Sequence, residues 1–224
     1  MELVEKASKS EPITEALIRS HYKNVAESAR LRLAEFRAVW ARGDDKELFG
    51  EMAFCFFTGG CSAKMGIRSL EAIRPLLLTG TEKQLAKRLV GAHRFPNARA
   101  RYVFETREFL KQSCGLAIRD TLLKLDHEGR REWLVKEKRI KGLAYKEASH
   151  FLRNIGLSGY GILDKHILNC LAELKLISDP KPPKNGKEYQ RVENILKNLA
   201  DRLNIDFDEM DLVLWSLKTG EILK

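Results

Sequence analysis

Apolar residues return at three- and four-residue steps along most of the chain. A clear example is the run Leu33, Phe36 and Val39, whose spacing places side chains on one face of an α-helix. No segment alternates polar and apolar residues for long enough to predict a β-strand. The pattern therefore predicts an all-α protein.

Local signals divide this helical chain into segments. Residues 44–57 are apolar on all sides, which is typical of a helix in the middle of a domain. The helix predicted over residues 62–78 should break or kink near Pro75. Thr81 and Gln84 fit a capping box at the start of the next helix. Residues 178–187, rich in Pro and Lys, are predicted to run extended over the surface.

The chain carries an excess of positive charge. It has 40 Lys and Arg against 31 Asp and Glu, a net charge of +9 and a pI of about 9.4. This surplus favours a polyanionic partner. Charge alone is equally compatible with an ordinary soluble protein that has a basic surface.

The cysteines and the hydropathy pattern bear on the cellular compartment. The cysteines are too widely spaced for a zinc or iron–sulfur pattern, and no secretory signal is recognisable. No apolar run approaches the roughly 20 residues needed to cross a bilayer. We therefore expect reduced thiols, no membrane contact and a cytoplasmic location. The four cysteines are Cys55, Cys61, Cys114 and Cys170.

Residues 139–171 contain the most informative pattern in the chain. Gly142 permits a tight turn after a short apolar stretch. The next helix should place Phe151 and Leu152 on its apolar face and end at Gly156. Two helices joined by such a short glycine hairpin expose backbone N–H groups that can hold a phosphate.

Lys146 is predicted to lie in the first turn of this second helix. A cation is disfavoured at the positive end of the helix dipole, and burial there would favour a neutral, nucleophilic amine. On position alone, an ordinary solvated lysine is the commoner interpretation.

Asp164 changes this balance. It fits the N-cap of the following helix, and capping alone would account for it. The short hairpin helix and its antiparallel successor would, however, return Asp164 to the level of Lys146. An amine and a carboxylate across a groove suit substitution at a sugar carbon, because the amine attacks and the carboxylate stabilises the cationic transition state.

Several segments resemble the helix-hairpin-helix DNA glycosylase superfamily, and above all its second, archaeal-type family of 8-oxoguanine DNA glycosylases. The similar segments are residues 142–156 (GLAYKEASHFLRNIG), 162–166 (ILDKH), 95–100 (FPNARA) and 214–224 (LWSLKTGEILK).

The resemblance implies a helix-hairpin-helix glycosylase fold, with two helical lobes flanking a DNA-binding cleft. Residues 1–224 would form a single catalytic unit, with the hairpin and Asp loop at 139–171 and a base-recognition helix at 208–224. The enzyme would excise 8-oxoguanine and nick the abasic site by β-elimination. Lys146 would be the Schiff-base nucleophile, and Asp164 would stabilise the oxocarbenium charge and help handle protons.

The resemblance also implies roles outside the catalytic pair. Trp215 would stack on the flipped base, although core packing is the commoner role for such a tryptophan. Lys224 would recognise the N7–H of 8-oxoguanine through its terminal carboxylate. DNA contacts are expected from Gly142, Ala144, Phe95 and Asn97, of which the last two would insert into the duplex or fill the space left by the extruded base.

The remaining expectations concern cofactors and assembly. No metal or redox cofactor should be required, although a monovalent cation could bind hairpin carbonyls. The chain is expected to be a monomer acting on double-stranded DNA that contains 8-oxoguanine, in a prokaryotic, nucleoid-associated setting.

Two features depart from the superfamily pattern. Ala144 stands where superfamily hairpins commonly have a second glycine, which bears on the anion-binding turn. The cysteines that hold an iron–sulfur cluster in endonuclease III relatives are absent, which argues against that branch. The alternatives are a glycosylase/lyase for another lesion and a non-catalytic helix-hairpin-helix DNA-binding protein.

Overall fold

The computed structural model of the protein describes residues 12–223, which form eleven α-helices and no β-strand. The prediction of an all-α fold is confirmed for this part of the chain. The helices are α1 (Glu15–Arg42), α2 (Asp45–Thr58), α3 (Ala63–Ile73), α4 (Glu82–Leu89), α5 (Pro96–Cys114), α6 (Ile118–Leu123), α7 (His127–Lys136), α8 (Tyr145–Asn154), α9 (Lys165–Glu173), α10 (Gly186–Leu203) and α11 (Phe207–Thr219).

Two large clusters of buried side chains divide the helices into two lobes. The first core is built mainly by α2 to α8. The second core is built by α9 to α11 together with the start of α1. Helix α1 reaches both, because Ile18 packs in the second core and Val39 in the first. The predicted two-lobed arrangement is therefore present, with α1 joining the lobes.

Helix α2 runs through the first core. Every residue from Leu48 to Thr58 is buried, as its apolar character on all sides predicts. Asp44 caps the helix by accepting a hydrogen bond from the Lys46 N–H at 2.9 Å. The prediction of a central helix over residues 44–57 is confirmed.

Several local signals also have the predicted effect. Helix α3 ends at Ile73 and passes into a 3-10 turn that contains Pro75, because proline removes a helical donor and crowds the preceding turn. Thr81 and Gln84 form the capping box of α4.

The C-terminal helix ends near Thr219–Gly220, where the sequence predicts its end, within the longer base-recognition segment 208–224. It begins at Phe207, with Asp206 as its N-cap, and ends at Thr219. Gly220 adopts a left-handed φ of 78°, which ends the helix. Residues 221–223 are not helical.

The end of α8 lies directly against the backbone of α1. Gly156 has a φ of 88°, and a Cβ atom there would lie 2.6 Å from both the Arg37 Cα and the Phe36 carbonyl oxygen. Only glycine combines this conformation with so close an approach. Gly156 therefore sets the distance between α1 and the helix that carries Lys146.

We expect Gly156→Ala to destabilise the protein by about 3 kcal/mol, because left-handed strain adds to a clash with backbone atoms that cannot turn away. Gly91→Ala is the matched control, since Gly91 has a φ of 76° and a Cβ atom there would meet no other atom within 4 Å. The control should cost only about 1 kcal/mol. Urea unfolding of both variants measures the difference, and equal losses would contradict the close-packing interpretation.

Candidate active site

A cavity of about 880 Å³ lies where the two lobes meet, within the size range of ligand pockets. It is lined by residues of α8, α9 and α11, by the loop after α2 and by the Pro-rich segment before α10. The residues that bear on its chemistry are Lys146, Glu147, Arg153, Asp164, Asp211 and Trp215.

The hairpin before α8 has the predicted glycine turn. Gly142 has a φ of 73°, and a Cβ there would lie 2.5 Å from the Tyr102 ring. Ala144, the N-cap of α8, has a φ of −93° and provides no side-chain cap. Alanine is therefore compatible with this position. The Ala144 side chain accepts no hydrogen bond from the N–H groups of the first turn. Uncapped N–H groups of this kind are what a helix start needs to bind an anion.

Lys146 is the second residue of α8 and points its side chain to the cavity. The side chain is 25% exposed, and Nζ lies 3.0 Å from Glu147 Oε1. Glu147 is a partner that sequence reasoning missed, because neighbouring residues on a helix do not normally face each other.

Asp164 is the N-cap of α9, as predicted. Its Oδ1 accepts hydrogen bonds from the N–H groups of His166 at 2.8 Å and Ile167 at 2.9 Å. No described residue donates a hydrogen bond to the other oxygen, Oδ2. The helix start thus holds the carboxylate in place at the cavity that Lys146 also lines. The fold brings the predicted pair to one site.

Trp215 of α11 also lines this cavity, half-buried, with its ring edge-on to His166 at a centroid distance of 6.4 Å. An apolar ring at the wall of the cavity fits the stacking role predicted for it. Lys224 lies outside the described residues.

Phe95 and Asn97 lie apart from the cavity lining, at the start of α5, where both are exposed. The guanidinium groups of Arg94 and Arg99 lie 4.9 and 6.0 Å from the Phe95 ring centre. An exposed aromatic ring between two cations is a suitable surface for a nucleic acid strand.

Comparison with known proteins agrees with this arrangement. The family model described as 8-oxoguanine DNA glycosylase matches residues 29–205. The chain belongs to this family.

The sequence and structure matches to relatives extend over nearly the whole chain. The 8-oxoguanine DNA glycosylase/AP lyase of Korarchaeum cryptofilum is 38% identical over 202 residues, which are 89% of this chain and 92% of the relative. The crystal structure of the 8-oxoguanine DNA glycosylase of Thermotoga maritima has a TM-score of 0.85 at 32% identity, covering 94% and 98% of the two chains.

A third relative has been solved with DNA. The Methanocaldococcus jannaschii 8-oxoguanine glycosylase/lyase, in complex with a 15mer DNA containing 8-oxoguanine, has a TM-score of 0.83 at 34% identity. The match covers 93% of this chain and 100% of the relative. These structures confirm the helix-hairpin-helix glycosylase fold predicted from the sequence.

Within residues 12–223, none of the helices is long and apolar enough to cross a membrane. The same residues contain no group of three or more His, Cys, Asp or Glu side chains placed to hold a metal ion.

The structure adds an ion pair at the cavity that sequence reasoning missed. Arg153 of α8 and Asp211 of α11 are both buried, and Arg153 Nη2 lies 3.3 Å from Asp211 Oδ2. Burial raises the pKa of Asp211 to about 6, although the positive charge of Arg153 acts in the opposite direction. The only sequence signal was a charged residue within each of two apolar helix faces.

We expect the Asp211→Asn variant to reveal this raised pKa. Between pH 3.8 and about 6 the folded protein binds more protons than the unfolded chain, so the contribution of Asp211 to stability falls as pH rises through this window. The stability of the wild type relative to Asp211→Asn should therefore fall by about 2–3 kcal/mol between pH 4 and pH 7.

Urea unfolding at several pH values measures this difference. The same change at Asp201, an exposed residue of α10, is the control. A difference between wild type and Asp211→Asn that does not vary with pH would contradict the assignment.

Proposed function

We propose that this protein excises 8-oxoguanine from DNA and then nicks the abasic site by β-elimination. The observation that carries the proposal is the meeting of Lys146 and Asp164 at one cavity between the lobes, in a chain of the 8-oxoguanine DNA glycosylase family. The relatives named 8-oxoguanine DNA glycosylase/AP lyase support both activities.

In the first step the Lys146 amine attacks C1′ of the damaged nucleotide. The C1′–N9 bond breaks, and its electron pair leaves with the base. Positive charge develops on the sugar as this bond lengthens. Asp164, fixed by two backbone hydrogen bonds, provides the fixed negative charge that stabilises it.

In the second step the sugar ring opens to a Schiff base between C1′ and Lys146. The imine makes the C2′ proton acidic, and its loss expels the 3′ phosphate. This reaction nicks the strand 3′ to the lesion. Both steps use side chains alone and draw on no metal or redox cofactor.

Recognition of the base is proposed to use the C-terminal segment. The damaged base would be extruded into the cavity, where Trp215 provides a stacking surface. Lys224 is proposed to help recognise 8-oxoguanine, whose N7–H donor is lacking in guanine. Phe95 and Asn97 are proposed to enter the duplex from their turn at the start of α5.

The hairpin is proposed to hold the DNA backbone. The N–H groups that follow Ala144 can donate to a phosphate, and Gly142 keeps the turn narrow. The carbonyl oxygens of Gly142 and Leu143 accept no hydrogen bond from the described residues, and we propose that a monovalent cation binds them. The net charge of +9 favours DNA as the partner.

All residues proposed for chemistry belong to one chain, and we propose that the enzyme acts as a monomer on double-stranded DNA. The proposed location is the cytoplasm, at the nucleoid.

Borohydride trapping tests the nucleophile and the substrate together. The wild type should form a covalent adduct with a duplex containing 8-oxoguanine and none with the matched guanine duplex. Lys146→Gln should form no adduct, because an amide cannot make a Schiff base. Lys23→Gln, a change at an exposed position of α1, is the charge-matched control and should trap normally.

The same assay separates the other functions. A wild type that prefers another lesion would overturn the base assignment. Salt-dependent DNA binding without base release would instead favour the non-catalytic DNA-binding alternative.

Asp164→Asn separates the charge of this residue from its capping role. Asparagine caps a helix about as well as aspartate, so we expect stability to change by less than about 1 kcal/mol. Base excision should fall by about 10²–10³-fold, because the fixed negative charge is lost. Single-turnover excision and urea unfolding measure the two effects. An active Asp164→Asn enzyme would contradict the electrostatic role.

A further inference from the structure

Glu147 is the acidic group in direct contact with the proposed nucleophile. Its Oε1 lies 3.0 Å from Lys146 Nζ, and its side chain is only 12% exposed. Adjacent residues on a helix point about 100° apart, so a contact between two such side chains is not an automatic result of helix geometry. Glu147 also lines the cavity itself.

Asp164 is less suited to take a proton from Lys146. Its Oδ1 already accepts two backbone hydrogen bonds, and no ion pair joins it to Lys146 within the described residues. The two acids at the cavity therefore differ in their surroundings.

Glu147 has an ordinary structural role to be weighed against a chemical one. A glutamate in the first turn of a helix is stabilised by the positive end of the helix dipole. That role does not require contact with Lys146, and it does not explain why the carboxylate lies at the cavity, beside Gly59 and the Arg99 guanidinium. A Cβ on Gly59 would lie 3.6 Å from Glu147 Oε1 and 3.4 Å from Arg99 Nη2.

We propose that Glu147 is the catalytic base that removes the proton from Lys146, while Asp164 only stabilises the positive charge on the sugar. This inference rests on the proposed function. As the Nζ–H bond breaks, the proton moves to Glu147 Oε1, and the freed electron pair on Nζ forms the bond to C1′. The C1′–N9 bond breaks with its electrons on the base. Glu147 then returns the proton to the departing base anion, so that charge and atoms balance.

The contact allows two other roles, and their pH–rate profiles differ. If Glu147 removes the proton, its loss slows the reaction at neutral pH, and hydroxide makes up for the loss as pH rises. If Glu147 only stabilises the ammonium form, its loss leaves the amine less protonated, so the reaction is unchanged or faster at neutral pH. If Glu147 is only structural, its loss slows the reaction equally at every pH.

The test compares Glu147→Gln with the wild type. Glutamine keeps the shape and the hydrogen-bonding capacity but cannot accept the proton. Single-turnover release of 8-oxoguanine from a duplex is measured between pH 6 and pH 10 as the ratio of wild-type to variant rate. This ratio isolates Glu147, because the other titratable groups around the cavity are the same in both proteins. They are Cys61, Lys64 of α3, Tyr145, Lys146, His150 and Arg153 of α8, Asp164, Lys165 and His166 at the start of α9, Lys184, Tyr189 of α10, Asp211 of α11 and Glu221.

We expect Glu147→Gln to be about 10²-fold slower at pH 7, the usual contribution of a positioned base. The deficit should shrink at least tenfold by pH 10, while the Kd for the 8-oxoguanine duplex stays within about twofold of wild type. Glu35→Gln removes the same charge from an exposed residue of α1 that pairs with Arg32 and should behave as wild type. A constant deficit, or a variant as fast as wild type at pH 7, overturns the proposal.

A second substrate keeps this test separate from that of the proposed function. Cyanoborohydride trapping at a preformed abasic site needs the Lys146 amine, but no nucleobase has to be released. If the wild type fails to release 8-oxoguanine, the proposed function falls. The trapping ratio between wild type and Glu147→Gln, followed over the same pH range, then still decides the role of Glu147.

Discussion

The buried ion pair between Arg153 and Asp211 joins the two lobes at the cavity. Arg153 belongs to the helix that carries Lys146, and Asp211 belongs to the helix that carries Trp215. Burying two charges is costly, so such a pair is weak evidence for stability in itself. Its directional contact is better suited to fixing the relative position of α8 and α11. The arrangement of Lys146 and Trp215 depends on that relative position.

The starts of two helices place the reacting groups. Lys146 lies in the first turn of α8, and Asp164 is the N-cap of α9. The positive end of each helix dipole disfavours an ammonium and favours a carboxylate. The first turn of one helix thus places the amine, and the N-cap of the other places the carboxylate. Gly156 fixes the opposite end of α8 against the backbone of α1.

Much of the fold followed from local patterns, because helix caps and apolar spacing act within a few residues. The central helix α2, the kink at Pro75, the capping box at Thr81 and the N-cap at Asp164 all appear where the sequence placed them. Helix α11 likewise ends at Thr219, because Gly220 adopts a left-handed conformation that stops it. Family resemblance selected Lys146 and Asp164, whereas composition could not have separated them from the other charged residues.

What the sequence determined by itself was the set of helices, the glycine hairpin and the pair of residues that characterises the family, because each is encoded in a short run of residues. The tertiary structure alone decided which residues distant in sequence meet. It also decided the contact between the adjacent residues Lys146 and Glu147. The Arg153–Asp211 pair joins residues from two helices, and its burial follows from how those helices pack. The contact between Glu147 and Lys146 depends on the walls of the cavity that surround both side chains, and no local pattern encodes those walls.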